Sequence, residues 1–222
     1  FNEYAIDAII HTATFYGRNN ESNEQMFYAN TYLPQLLIEK AIKKGCSLFI
    51  NTDTVLDRFT SSYALTKKQL KDWLQFYAKA NEFKVINLQL EHFYGPGTAN
   101  TNFITLMVQK MLKNEKSIPL TKGEQNRDFL YIEDLLQVYD VMINNAKKFS
   151  EFEVFNVGAG TNTNLKYILE YIKEHTSSKS KLDYGAVPYR KNELMESYND
   201  LSKISKLEWE PKVSIEEGLE KV

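Results

Sequence analysis

Along this chain, short runs of consecutive apolar residues alternate with longer segments whose apolar positions recur every three or four residues. Residues 5–10 and 47–50 are runs of the first kind and predict buried strands. Residues 30–44 are of the second kind and predict a helix that starts near Asn30 and stops before Gly45, since glycine readily takes the left-handed conformation that ends helices. A second helix is predicted over 61–80, a strand over 84–90, and a further helix over 132–145. That last helix is entered through Glu133 and Asp134, which suits the positive end of a helix dipole. Strands alternating with helices predict a parallel, doubly wound α/β sheet. From Tyr94 the pattern changes to a Gly95-Pro96-Gly97 turn, a loop rich in Thr and Asn, a helix over 103–114 and a polar stretch over 177–191. A small lobe built from two separate pieces of chain is the expected result.

The 222 residues are enough to bury a sizeable core as one large domain, or as a domain with a lobe grafted on it. Composition then excludes several classes. Twenty-seven basic residues stand against 29 acidic ones, with no basic cluster beyond short Lys pairs, so no nucleic-acid partner is expected. Cys46 is the single cysteine and the three histidines are scattered, which excludes a disulfide framework within the chain and gives no metal-binding pattern. No apolar run approaches the roughly 20 residues that span a bilayer, and no basic-then-apolar leader opens the chain. A cytoplasmic protein without a membrane partner is the expectation.

The candidate chemistry lies between the second strand and the second helix. Tyr63 and Lys67 are one helical turn apart and so share a face. A phenol titrates near 10 in water, and an ammonium beside it favours the phenolate, which makes the tyrosine a usable acid and base at neutral pH. Thr52 follows an apolar strand and offers a hydroxyl for the oxygen of a sugar alcohol or ketone. The ordinary reading of each is a packed aromatic, a solvated lysine and a turn residue.

The surroundings decide between these readings. The run from Asp7 to Thr14, Asn30, the Thr52 strand end, the Tyr63/Lys67 helix, the run Leu88 to Gly97, the run Gly123 to Asp134, Phe155 to Gly158 and Leu207 to Pro211 resemble, in order, the motifs of the extended short-chain dehydrogenase/reductase family, the NAD-dependent nucleotide-sugar epimerases, dehydratases and reductases. The likeness runs over essentially the whole chain. The wording around Glu91 and His92, of the Asn51 to Thr54 strand end and of the Thr121 to Phe129 segment is nearest to the CDP-abequose-synthase-like reductases of O-antigen sugar pathways.

The resemblance implies a Rossmann-like sheet over 1–97 and 129–158, its first part missing, and a nucleotide-sugar-binding α/β lobe over 98–128 and 159–222. It implies NAD or NADP as cofactor, a nucleotide-sugar substrate and a homodimer joined through the Asn30 and Tyr63 helices. Tyr63, Lys67 and Thr52 are the implied catalytic residues. His11, Ala13, Thr14, Asn30, Tyr63, Lys67, Leu90 and His92 are implied at the cofactor, and Asp53, Thr54, His92, Asn102, Phe103, Arg127 and Arg190 at the substrate. A guanidinium matches phosphate oxygens bidentately, which is why Arg127 and Arg190 are expected to clamp a diphosphate. The family's 4,6-dehydratases follow the acid at the Asp53 position with Glu, whereas this chain has Thr54, which argues against an elimination. The expected reaction is reduction of a 4-keto-6-deoxy nucleotide sugar, with 4-epimerisation by the same residues as the alternative.

No Gly-x-x-Gly-x-x-Gly run occurs, although backbone amides freed by such glycines cradle a dinucleotide pyrophosphate. By the resemblance the chain begins near the family's fourth strand, after about 60 residues that carry this loop. The expectation is a piece of a longer protein. The opposing reading, a non-catalytic remnant that binds a sugar nucleotide only, would leave an apolar strand edge unpaired.

Overall fold

Leu48, Phe49 and Ile50 are successive residues and all are buried. Neighbours on a strand point to opposite faces, so burying all three takes a layer on each side of the sheet. The computed structural model, which describes residues 4–80, 83–97, 102–190 and 193–222, shows how this is achieved. In chain order the strands are β1 (Ala8–His11), β2 (Leu48–Thr54), β3 (Lys84–Leu90), β4 (His92–Tyr94), β5 (Ser117–Leu120), β6 (Asn126–Arg127), β7 (Phe129–Tyr131), β8 (Phe152–Val157), β9 (Thr163–Asn164) and β10 (Lys181–Tyr184). The α-helices are α1 (Asn23–Phe27), α2 (Leu33–Lys43), α3 (Ser62–Ala80), α4 (Phe103–Leu112), α5 (Ile132–Asn145), α6 (Leu165–His175), α7 (Ser202–Ser205) and α8 (Ile215–Glu220).

Two compact units result. The first comprises Phe1–Leu90, Gln137–Val157 and Lys203–Trp209, and holds a four-stranded parallel sheet in the order β1-β2-β3-β8. Phe49 and Val85 are partners in register, and they form one buried cluster with Ile38 and Ala41 of α2, Leu70, Leu74 and Ala78 of α3, and Phe83. Tyr139 of α5 reaches Thr52, which by strand alternation lies on the other face from Phe49. Helices thus serve both faces, as the doubly wound α/β reading requires.

The helix expected to start near Asn30 starts earlier. Ser22 caps α1 in a reciprocal box with Gln25, and the helical path then passes through a π-helical turn, Tyr28–Tyr32, into α2. That wider turn carries Asn30 and Thr31, both buried. The aperiodic look of residues 19–25 concealed the start, because polar cap residues carry no hydrophobic period.

The second unit comprises Glu91–Leu136, Gly158–Ser202 and Glu210–Val222. Its core joins Ile104, Met107, Val108 and Met111 of α4 to Ile168, Leu169 and Ile172 of α6 and to Tyr94, Phe129 and Tyr131. It is strung on three short pairings: β4 with β7, β5 with β10, and β6 with β9. Gly95 is required here, since a Cβ at this position would lie 2.3 Å from Ile132 Cγ2. The division differs in place from the sequence expectation of 97/98. β4 and β7 pair with each other rather than with the main sheet, so the chain changes unit at Leu90 and again inside α5. Lys203–Trp209 returns to the first unit, where Lys203 donates to Glu153 and to the Val154 carbonyl. Of the Thr/Asn-rich loop, residues 98–101 lie outside the described residues.

Phe49 has no exposed surface and packs against the rings of His11 and Phe83. Phe49→Ala is therefore expected to cost about 3–5 kcal/mol of stability, read as a lowered urea midpoint with an unchanged slope.

Candidate active site

Asp53, near the end of β2, carries a carboxylate with no exposed side-chain surface. A buried carboxylate must be matched by donors, and four converge on it. Lys68 Nζ lies 3.2 Å from Oδ2, Asn87 Nδ2 2.9 Å and Gln89 Nε2 3.5 Å, while the Thr54 amide donates to Oδ1 at 2.7 Å. Lys68 also donates to the Thr54 carbonyl, so the first turns of α3 are tied to the end of β2. The residue expected at the substrate is thus enclosed by protein donors, and Lys68, which the sequence reading passed over, is its counter-ion.

The tie sets the neighbours of Lys68. Tyr63, one turn earlier, is hydrogen-bonded to the Thr54 side chain, and Tyr16 lies against it with ring centroids 5.1 Å apart. Arg18 in turn stacks over Tyr16. Burial pushes the Tyr63 phenol well above its ordinary value, with Tyr16 and Asp53 adding to the push and Thr54 and Arg18 opposing it. Lys67, expected to favour the phenolate, is not among the charges that act on it, and the phenol holds its proton. Thr52 meets Tyr139, hydroxyl to hydroxyl at 2.7 Å, so it is Thr54 that touches Tyr63.

Lys67 is 1 % exposed. Burial pulls its ammonium down to about 8, against the raising effect of Asp53 and helped by Lys68. It makes no hydrogen bond among the described residues. Asn30 binds the other side of this helix: its Nδ2 donates to Thr66 Oγ1 and to the Phe15 carbonyl, and its Oδ1 accepts from Thr14 Oγ1 and the Phe15 amide. Asn30 thereby holds the 14–15 segment to α3, with Ala13 exposed just before it. His11 is 4 % exposed, and burial holds its imidazole down at about 4 against the hydrogen bond with Asn51, with Lys67 adding to the fall.

In the second unit Arg127 is buried beside Glu193 at 2.7 Å and also donates to the Asn126 carbonyl. Two of its donor groups thus serve the protein. Arg190 is exposed. Asn102 caps α4 through the Ile104 amide and donates to the Phe93 carbonyl, and Phe103 packs against the α4 and α6 core. His92 is partly exposed, with Nδ1 3.4 Å from Glu91 Oε2, and its ring meets Phe129. Leu90 is buried at the end of β3. The sequence reading passed over Glu91, whose Oε1 accepts from Ser197 at 2.5 Å, and Asp128, whose oxygens accept from the Ala159 and Gly160 amides. Burial raises Asp128 to about 6.

A doubly wound parallel sheet with a buried Lys67, a half-buried Tyr63 one turn before it and threonine hydroxyls at a strand end suits a dehydrogenase-type oxidoreductase. A model of the NAD dependent epimerase/dehydratase family matches residues 1–158, and the chain belongs to that family. The CDP-abequose synthase of Salmonella muenchen is 34 % identical over 224 residues, which is 98 % of this chain and 76 % of that protein. The dTDP-4-dehydro-6-deoxyglucose reductase of Escherichia coli is 23 % identical over 242 residues, which is all of this chain and 75 % of that protein. The UDP-glucose 4-epimerase of Thermotoga maritima, solved with UDP-glucose, superposes with a TM-score of 0.83 at 26 % identity over 96 % of this chain and 74 % of that one.

Lys67 fits the cofactor of this family. Its buried ammonium has three donors and no hydrogen bond among the described residues, which suits the hydroxyl oxygens of a nucleotide ribose.

Two pH effects of opposite sign follow. His11, held at about 4 against an ordinary 6.5, gives stability that is complete above 6.5 and lost as the pH falls toward 4. Asp128, raised to about 6 from 3.8, gives stability that is complete below 3.8 and lost as the pH rises through 6. NMR titration is expected to place the His11 ring midpoint near 4. His11→Asn is expected to reduce the loss of stability between pH 7 and 4.5 in urea unfolding, and an unchanged loss would show His11 to be solvated.

Proposed function

We propose that the protein is an NAD(P)H-dependent reductase of a 4-keto-6-deoxy nucleotide sugar, acting in surface-polysaccharide (O-antigen) synthesis in the cytoplasm. The observation that carries this reading is Tyr63: a half-buried phenol that keeps its proton, hydrogen-bonded to Thr54, is a donor ready for a carbonyl oxygen. Similarity to a CDP-abequose synthase and to a dTDP-4-dehydro-6-deoxyglucose reductase supports the substrate class. The enclosure of Asp53 by Lys68, Asn87 and Gln89 at Oδ2 and by the Thr54 amide at Oδ1 supports reduction over elimination, because an acid with both oxygens taken is not free to move a proton. Among the described residues no helix is long and apolar enough to cross a membrane.

In the proposed reaction Tyr63 gives its proton to the C4 oxygen of the sugar. Thr52, hydroxyl to hydroxyl with Tyr139, orients that oxygen, and Thr54 holds the phenol. Lys67 stabilises the phenolate left behind and binds the nicotinamide ribose. The dinucleotide, when bound, supplies the hydride to C4. Arg127, through its remaining N–H groups, and Arg190 bind the diphosphate, with His92, Asn102 and Phe103 on the sugar-nucleotide side. The likeness to a 4-epimerase supports a second reading in which the same residues act twice and the cofactor is regenerated.

Tyr63→Phe is expected to lower kcat by about 10²–10⁴-fold with the fold retained. The purified protein is expected to consume one NAD(P)H for each sugar reduced. Product formed without net loss of NAD(P)H would replace the reductase by the epimerase.

We also propose a homodimer. Trp73, Phe76 and Tyr77 of α3 cluster edge to face, and Phe27, Tyr28, Tyr32, Leu33 and Leu36 are exposed along the α1–α2 path. So many exposed aromatic residues on neighbouring helices suit burial against a second copy. Light scattering is expected to give twice the chain mass, falling to one chain mass in a Trp73→Glu/Phe76→Glu variant. A monomeric wild-type protein would exclude the dimer.

A further inference from the structure

His11, Asn51 and Asn87 stand side by side in the sheet: His11 is the register partner of Asn51, and Asn51 of Asn87. All three are buried, each following a run of apolar residues in its strand. Their side chains form a ladder. His11 Nδ1 lies 3.1 Å from Asn51 Oδ1, Asn51 Nδ2 donates to Asn87 Oδ1 at 2.7 Å, and Asn87 Nδ2 donates to Asp53 Oδ2 at 2.9 Å. Beyond Asp53 stands Lys68.

The far end of the ladder sets its direction. A carboxylate paired with an ammonium only accepts, so Asn87 must turn its NH₂ to Asp53 and its oxygen to Asn51. Asn51 must then turn its NH₂ to Asn87 and its oxygen to His11. An amide oxygen only accepts, so the imidazole proton sits on Nδ1. Nε2 is left with a bare lone pair, and it is buried with no hydrogen-bond partner among the described residues. Native folds seldom leave a buried acceptor empty without a reason. Lys67, close enough for its charge to act on His11, offers the opposite need: donors without an acceptor.

A group that accepts from an ammonium while donating to an imidazole nitrogen is a hydroxyl. We propose that His11 Nε2 accepts a hydrogen bond from a ribose hydroxyl of the bound nicotinamide dinucleotide, and that Asn51, Asn87, Asp53 and Lys68 are positioning residues that hold the imidazole in the Nδ1–H tautomer. The assignment rests on the dinucleotide binding proposed above. It gives the ladder a task that packing alone would not need, since leucines would fill the same row with no polar group to satisfy.

The ¹⁵N imidazole spectrum of the protein tests it directly, because there are only three histidines to assign. At pH 7 without ligand, His11 is expected to be neutral with its proton on Nδ1. Saturating NADH or NADPH is expected to shift Nε2 toward the hydrogen-bonded range and to leave the Nδ1 proton in place. His11→Asn keeps a donor for Asn51 and deletes Nε2, so the Kd for NAD(P)H should rise roughly 3- to 10-fold, the loss of one hydrogen bond. Asn87→Leu breaks the ladder and is expected to spread the His11 proton over both nitrogens, and should that variant fail to fold, the wild-type spectrum still decides the tautomer. A proton on Nε2 in the free protein overturns the inference, as does dinucleotide binding that leaves Nε2 unmoved. Absence of any dinucleotide binding overturns the functional reading and the inference together, so the two failures are distinct.

Discussion

A single buried carboxylate governs the geometry of the first unit. Asp53 sits where β2 leaves the sheet, without exposed side-chain surface. Removing one partner from such a pair typically costs about 3–5 kcal/mol, because the remaining charge is left uncompensated. Its counter-ion comes from α3, so the helix can neither slide along β2 nor turn about its own axis without stranding Lys68 or Asp53. Tyr63 and Lys67 inherit their positions from that restriction. The adjacent lysine is turned into the interior, and the tyrosine one turn earlier is brought to Thr54.

Much of this fold was legible because it is written in period. Strands of consecutive Ile, Val, Leu and Phe, and helices with an apolar stripe, need only neighbours to declare themselves, and α3, α5 and β3 emerged within a residue or so of their observed bounds. The Tyr63/Lys67 pair was legible for the same reason, since i, i+4 spacing is local. Where partners lie far apart in sequence the reading was silent about them. Lys68 was passed over because Asp53 is 15 residues away, and Glu193 was not identified as the partner of Arg127 because it is 66 away. A warning was nevertheless present: Asn51 and Asn87 each interrupt an apolar strand run, and a polar residue in a strand buried on both faces requires a partner.

The second unit repeats the theme with different chemistry. Glu193, Glu91 and Glu196 act on the buried Arg127 guanidinium, and the backbone amides of Ala159 and Gly160 serve Asp128 in place of a cation. Arg127 has five N–H groups in a fixed fork, and the contacts with Glu193 and the Asn126 carbonyl leave some of them unassigned. An arginine already held in place by the protein loses less freedom when it meets a phosphate than a mobile lysine would, so the Glu193 pairing and a role in phosphate binding are compatible.

Lys67 and Lys68 divide one counter-charge between them, and the division is unequal. Asp53 lies in contact with Lys68, while Lys67 has the carboxylate only at a distance and carries the heavier desolvation. Nothing in the fold requires a bare ammonium at position 67: a leucine there would fill the space without the penalty. The arrangement makes physical sense if the missing interactions arrive with a ligand, for then a cost carried in the free protein becomes affinity and alignment in the complex. The same reasoning explains why the phenol is protonated before anything binds. A neutral Tyr63 held by Thr54 is stable as a proton donor, and only the loss of that proton creates a negative charge in its surroundings.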